Sequence, residues 1–283
     1  MGRRNLRAVH VRAVEGGEAV LRPDPDCAEG WVLLVDEAQQ SHVDLADPTH
    51  LAFEYVRRAG HVIDLLPPGP LRAVHLGGGG MTLARYVAAT RPRSDNLVVE
   101  RDSALVELVR ELLPWPRSCR IRVRIADARA ALDALPDGSA DLLVLDVFAG
   151  ARTPGDLTSL EAFGQIRRAL TGTGTMVANI ADDAPLTYAR RFVAGMACVF
   201  GEVIVTAEPS VLRGRRFGNL VLAARPAGFD GFGLPALTRR CAADIWPARV
   251  LSGSEVLAFV GDHRPFVDAT APGSPPPPDA LFG

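Results

Sequence analysis

The chain has 283 residues, enough for one large domain or a domain with a small appendage. With 48% hydrophobic and 23% charged residues it reads as a globular protein and not as a disordered one. A formal net charge of −2 argues against a surface built to coat nucleic acid, and no apolar window is long enough for a membrane-spanning helix.

The N-terminal stretch MGRRNLRAVHVRAVEGG is charged but has no apolar h-region, so no secretory signal is expected. Lysine does not occur, and all 31 basic residues are arginine. A Walker A loop, a lysine Schiff base and a lysine general base are therefore excluded within this chain. Cys27, Cys119, Cys198 and Cys241 are far apart, with no CxxC and no Cys/His cluster in the sequence. Neither a structural zinc site nor a disulfide framework is expected, and a reducing cytoplasm is.

Leu6–Val14 and Trp31–Val35 are short, partly alternating apolar runs on either side of the turn-rich RPDPDCAEG. They predict antiparallel strands in a small N-terminal β element, residues 1–47. Residues 48–66 predict a helix, with Asp47 as N-cap and Pro48 at its first position, closed by Pro67-Pro68-Gly69-Pro70. Residues 48–70 thus form a connecting helix and boundary.

From residue 71 the pattern alternates. LRAVHLG predicts a strand entering a glycine run, Thr82–Thr90 a helix, and residues 95–100 a strand ending on Glu100. Ser103 is the expected cap of a helix reaching Leu113. Residues 119–127 predict a strand, Arg129–Leu135 a short helix, and residues 140–148 a central strand apolar at nearly every position. Helix over Leu157–Leu170, strand over 171–180, helix over Pro185–Phe200 and strands over 201–208 and 218–226 follow. Repeated βα units predict an α/β fold, a doubly wound, mostly parallel sheet spanning residues 71–262. Residues 263–283 read as a Pro-rich mobile tail.

Four glycines, Gly77, Gly78, Gly79 and Gly80, lie between strand and helix, where the backbone can approach a ligand and the helix offers free N–H groups. One or two would satisfy a tight turn; the full run favours a ligand. The spacing does not fit GxGxxG. Glu100 can accept both hydroxyls of a ribose. Asp127, beside Ala128, can accept from an adenine amino group or cap the next helix. Asp146 is a carboxylate near the carboxyl end of the most apolar strand, where ligands of open α/β sheets bind.

Gly77, Glu100, Asp127 and Asp146 end four successive strands. This series resembles the S-adenosylmethionine methyltransferase fold, and more closely spermidine synthase and the other polyamine aminopropyltransferases. LLVDEAQQSHVDLADPTHLAFEYVR, HLGGGGMTLARYV, VVERD, IADARAAL and LLVLDVFAG carry the resemblance, which covers about residues 30–225.

The resemblance implies transfer of an aminopropyl group from decarboxylated S-adenosylmethionine to a small amine acceptor. It implies Gln40 at the nucleoside or thioether side and Gly77 to Gly80 along the aminopropyl-sulfonium and ribose. Glu100 would hold the ribose hydroxyls, Asp127 and Ala128 the adenine, and Asp146 would be the base. It also implies a homodimer. A sulfonium is already a good leaving group, so no metal is required, and neither nucleic acid nor membrane is an expected partner. The alternatives are a methyltransferase using S-adenosylmethionine itself and a catalytically silent nucleoside-binding protein.

The sequence departs from the family at three places. The family loop GGGDGG has no Asp here. The second acid after the catalytic Asp is Ala149, and the later tyrosine is Val211. Arg213, Arg215 and Arg216 cluster near the last position, where they would repel a cationic substrate if they faced it. Asp44, Asp47, His42 and His50 can line the acceptor side. For a metal their ligand atoms would have to converge, and the His42/His50 spacing does not share a helical face. Asp182 and Asp183 follow the fifth strand and can reach the site, though a loop-capping role is the expected one.

Overall fold

The structure is a computed structural model that describes residues 8–148, 152–226 and 232–276. Four N-terminal strands, β1 (His10–Val14), β2 (Gly17–Pro23), β3 (Gly30–Val35) and β4 (Ala38–Asp44), form an antiparallel meander in chain order. The sequence predicts only two of them. β2 and β4 carry glutamate, arginine, glutamines and aspartate, and they bury few apolar side chains, chiefly Ala19, Leu21 and Val43. Leu6 and Arg7, at the start of the first predicted strand, lie outside the described residues.

The meander is not an independent unit. Leu21, Trp31, Leu33 and Val43 share one apolar cluster with Met81 and Ala84 of the loop and helix α2 (Thr82–Thr90), and with Leu105, Val106 and Val109 of α3 (Ser103–Leu112). Burying such side chains contributes about 1.5–3 kcal/mol each, which fixes the meander over the glycine run.

Helix α1 covers Glu54–Asp64, not the expected start at Pro48. Asp47 accepts hydrogen bonds from the backbone N–H and hydroxyl of Thr49, and His50 N–H donates to the Asp47 carbonyl. These bonds close a turn that competes with a first helical turn.

The main sheet runs β12-β10-β11-β9-β8-β5-β6-β7, with β5 (Arg72–Leu76), β6 (Asp95–Glu100), β7 (Ile121–Ile125), β8 (Ala140–Leu145), β9 (Leu170–Asp182), β10 (Glu202–Ala207), β11 (Gly218–Arg225) and β12 (Arg249–Ser252). Strands β5 to β9 pair in parallel, and β11, β10 and β12 add an antiparallel edge. The strand order reverses between β5 and β8, which opens a crevice beyond their carboxyl ends.

β8 is buried on both faces, as its continuous apolar run predicts. Leu143 and Leu145 face the cluster containing α5 (Leu160–Ala169) and α6 (Thr187–Val199), while Leu142 and Val144 face α1 and α8 (Leu234–Ala242). Asp102, not Ser103, caps α3: its carboxylate accepts from Leu105 N–H at 3.0 Å. α5 starts three residues later than expected, capped by Ser159, whose hydroxyl accepts from Ala162 N–H.

The sequence does not predict α8, β12 or α9 (Ser254–Val260). In α8 only Leu237 and Cys241 are buried, too few for a readable stripe. Residues 263–274, expected as the start of a mobile tail, pack on the domain. Phe266 and Ser274 are buried, and Asp268 pairs with Arg129. Residues 277–283 lie outside the described residues. No helix among the described residues is long and apolar enough to cross a membrane.

Candidate active site

A cleft of about 800 Å³ opens at the carboxyl ends of the parallel strands, with the N-terminal meander as one wall. Gln40, Gly77, Gly78, Gly79, Glu100, Asp127, Ala128 and Asp146 all line it. Gly80 does not. Its N–H donates to Ser41 Oγ at 2.9 Å, and a Cβ there would meet Ser41 Cβ at 2.9 Å.

The glycine run is confined by the protein's own atoms. Gly77 has φ +93°, and a Cβ on it would sit 2.1 Å from the Asp146 carbonyl oxygen. A glycine is needed there for the turn and for the approach of β8, before any ligand is considered. Behind the loop, the buried Arg85 donates to the Gly80 carbonyl at 3.1 Å and to the Leu113 carbonyl, and its guanidinium lies over Trp115. Burial lowers this guanidinium to about 10, which leaves it a fixed cation at neutral pH.

Glu100 is held by backbone amides. Its Oε2 accepts from Gly78 N–H at 2.9 Å and Gly79 N–H at 3.4 Å, and its Oε1 accepts from Asp102 N–H at 3.1 Å. Charge-assisted bonds of this kind orient the carboxylate before a ligand arrives. Asp127 caps α4 (Ala128–Asp133): its Oδ1 accepts from Ala130 N–H at 2.9 Å. The helix-cap reading is therefore realised, and an adenine contact would have to use the other oxygen.

Asp146 sits just past β8. Burial raises its carboxyl from 3.8 to about 6, against the opposing hydrogen bond from Asn179 Nδ2 at 3.0 Å. Tyr55 lies within electrostatic reach of both Asp146 and Glu54. Burial, aided by those two acids, pushes its phenol well above its ordinary value, and its hydroxyl donates to the Gln40 carbonyl at 3.2 Å. Glu54 lines the same end of the cleft and accepts from Asn219 Nδ2 at 3.3 Å. One end of the cleft thus combines two carboxylates, a neutral phenol and two amides, with Phe148 and Phe217 as apolar lining.

Sequence reasoning misses Glu54, Tyr55, Asn179 and Asn219. A lone Asn within the apolar strand MVANIA is the one local signal that could have found Asn179. The acceptor-side candidates Asp44, Asp47, His42 and His50 are all absent from the cleft lining, and so is Asp182. Asp182 accepts from Ala189 N–H and Asp183 N–H, the expected capping role. Arg213 and Arg215 are exposed and away from the cleft. Arg216 lines it but is paired with Glu208. The arginine cluster therefore does not present a united positive face. Val211 is buried against Gly218, and Ala149 lies outside the described residues.

No family model matches the chain. The polyamine aminopropyltransferase of Chromobacterium violaceum is 26% identical over 146 residues, which is 52% of this chain and 56% of that protein. The polyamine aminopropyltransferase of Vibrio vulnificus is 29% identical over 129 residues, 45% of this chain and 43% of that one. The chain thus spans about half the length of these curated relatives. A probable spermidine synthase from Corynebacterium glutamicum, known from its crystal structure, is 34% identical and superposes with a TM-score of 0.87, covering 93% of this chain and 98% of that one. The chain belongs to the spermidine synthase-like family. Its fold is methyltransferase-like, with the small antiparallel sheet added at the N-terminus. Gly80 is pressed under Ser41 and Val43, so β4 fills the space a side chain there would need.

Proposed function

We propose that the chain is an aminopropyltransferase that uses decarboxylated S-adenosylmethionine, with Asp146 as the base. The observation that carries this reading is the Asp146 carboxyl, raised to about 6, in a cleft shared with the glycine loop, Glu100 and a second carboxylate, Glu54. The acceptor nitrogen, once deprotonated, attacks the carbon next to the sulfonium. A C–N bond forms, the C–S bond breaks with its electron pair going to sulfur, and neutral methylthioadenosine leaves. The amine proton goes to Asp146. An alkyl ammonium with a pKa of about 10 has no free lone pair, so this transfer precedes or accompanies attack. Glu54 takes a second positive charge of the acceptor, the task Ala149 cannot perform. A cytoplasmic homodimer completes the reading; the four free cysteines support a reducing compartment, and sedimentation checks the dimer.

The direct test incubates purified protein with decarboxylated S-adenosylmethionine and a panel of amines, with mass spectrometry of the products. Equal release of methylthioadenosine with and without protein would end the proposal.

One observation favours the second reading, a methyltransferase using S-adenosylmethionine itself: the glycine loop carries no acid to face the decarboxylated donor's ammonium. Calorimetric titration with the two donors and methylthioadenosine separates the readings. Tighter binding of the carboxylated donor selects the methyltransferase, and no binding of any of the three leaves neither.

Replacing Glu100 with Gln is expected to weaken methylthioadenosine binding about 10- to 100-fold. Charged hydrogen bonds contribute about 1.5–3 kcal/mol, and an amide cannot accept from three backbone N–H groups and a ribose with both its heavy atoms. Unchanged affinity by titration would remove Glu100 from the ribose site.

The ascending limb of the pH–rate profile should reflect Asp146. A base must be ionised, so kcat/KM should rise with pH through about 6 and level off above it. An ascending limb at 4 would mean that the buried carboxyl is not the group titrating.

A further inference from the structure

Apart from the cleft, the meander gathers a set of metal-type ligands from three separate stretches of chain. Cys27 lies in the turn between β2 and β3, Asp44 ends β4, and His50 lies in the turn before α1. The Cys27 sulfur, an Asp44 oxygen and a His50 ring nitrogen all lie within 4.8 Å of one another. Cys27 Sγ is 3.1 Å from Asp44 Oδ2, and His50 Nδ1 is 3.1 Å from the same oxygen. None of the three lines the cleft.

Those spacings suit a small ion. Tetrahedral zinc with bonds of about 2.3 Å to sulfur and 2.0 Å to nitrogen and oxygen sets its ligands about 3.3–3.5 Å apart. Two edges of the triangle are within about 0.4 Å of that geometry. Asp44 is oriented from behind, because its Oδ1 accepts from Ala46 N–H and Asp47 N–H. Beside the triangle, the buried His42 contacts Asp24 Oδ2 through Nε2 at 2.8 Å, while its Nδ1 has no partner. The rings of His42 and His50 are 5.4 Å apart. The hairpin register pairs Val32 with His42 and Gly30 with Asp44, the turn bond from Gly30 N–H to the Cys27 carbonyl sets the thiol beside Asp44, and the turn bond from His50 N–H to the Asp47 carbonyl returns His50 to it.

We propose that Cys27, Asp44 and His50 bind a divalent transition-metal ion of the zinc class, with water in the fourth position. A mixed sulfur, nitrogen and oxygen set selects against magnesium and calcium, which take oxygen ligands. Without a metal, the Cys27 thiol donates a hydrogen bond to the Asp44 carboxylate. Binding releases the thiol proton and replaces the hydrogen bond with a metal–thiolate bond. The consequence reaches the cleft, because β4 carries Gln40 and Ser41 to it and Asp44 to the ion. Occupancy would tie the β2–β3 turn, the end of β4 and the approach to α1 together.

Cobalt(II) is the probe, titrated into the full chain after chelator treatment and dialysis. A thiolate-to-cobalt charge-transfer band should grow to one equivalent and vanish on adding zinc. Cys27→Ser should abolish the band, whereas Cys198→Ser, at an exposed position, should leave it. His50→Ala, at a partly exposed side chain that should not disturb folding, should weaken cobalt binding about tenfold or more. Absence of the band, its survival in Cys27→Ser, or unchanged affinity in His50→Ala would each overturn the site. Circular dichroism of each variant separates lost ligation from lost fold.

Discussion

Asp146→Asn is expected to lower turnover by about 10²- to 10⁴-fold, the usual contribution of a general base, while nucleoside binding persists. An amide cannot take the amine's proton, yet its oxygen can still accept the hydrogen bond from Asn179. The same substitution should stabilise the folded protein at neutral pH. Below about pH 4 the carboxyl is protonated in both folded and unfolded chains. Between about 4 and 6 only the unfolded chain ionises, and above about 6 the folded state carries the full cost of a buried charge. A rise from 3.8 to about 6 corresponds to on the order of 2–3 kcal/mol, several degrees in Tm for a chain of this size. Thermal unfolding at pH 5 and pH 8 is the check: the gain at pH 5 should be about half that at pH 8. Turnover within about tenfold of the native protein would remove Asp146 from the role of base. A fall in both turnover and Tm would mean that Asn damages the fold and not the chemistry.

The strand ends that frame the cleft were legible because apolar runs bounded by glycine or proline also fix where a parallel strand stops. Residues 95–100 and Thr82–Thr90 follow the sequence reading residue for residue. Glu100 and Asp146 stand out because each interrupts such a run with an acid. The opposite wall was not legible. Glu54 and Tyr55 sit at the start of a helix that begins later than Pro48, since Asp44 and Asp47 draw the preceding backbone amides into turns. Asn219 follows a glycine at the head of an antiparallel strand, and nothing local says that β11 lies next to β9. The same holds for Cys27 and Asp44, which the β3–β4 pairing brings together, while the turn closed on Asp47 adds His50. In sequence the glycine run suggests ligand approach, and in the fold it also meets a steric need: the end of β8 touches Gly77, and Ser41 of β4 touches Gly80.

Glu54 supplies a second acid at the acceptor end of the cleft. A diamine such as putrescine carries two charges at neutral pH, and the sequence alone leaves it one acid, because Ala149 and Val211 replace two polar partners. Two losses of about 1.5–3 kcal/mol each would raise KM on the order of 10²- to 10⁴-fold if they add. Glu54, already fixed by Asn219, offsets one of them, so the expected penalty for putrescine falls to about 10- to 100-fold. Glu54→Gln should then restore the larger penalty: KM for a diamine rises about 10- to 100-fold further, with kcat and donor affinity nearly unchanged. A monoamine, having no second charge, should be insensitive to the substitution. Steady-state kinetics with putrescine and a monoamine of matched length, using native and Glu54→Gln protein, reads the difference directly. Equal effects on both amines would show that Glu54 shapes the cleft without binding a charge. Micromolar KM for putrescine in the variant would mean that other groups hold the distal ammonium, and the assignment of Glu54 would fall.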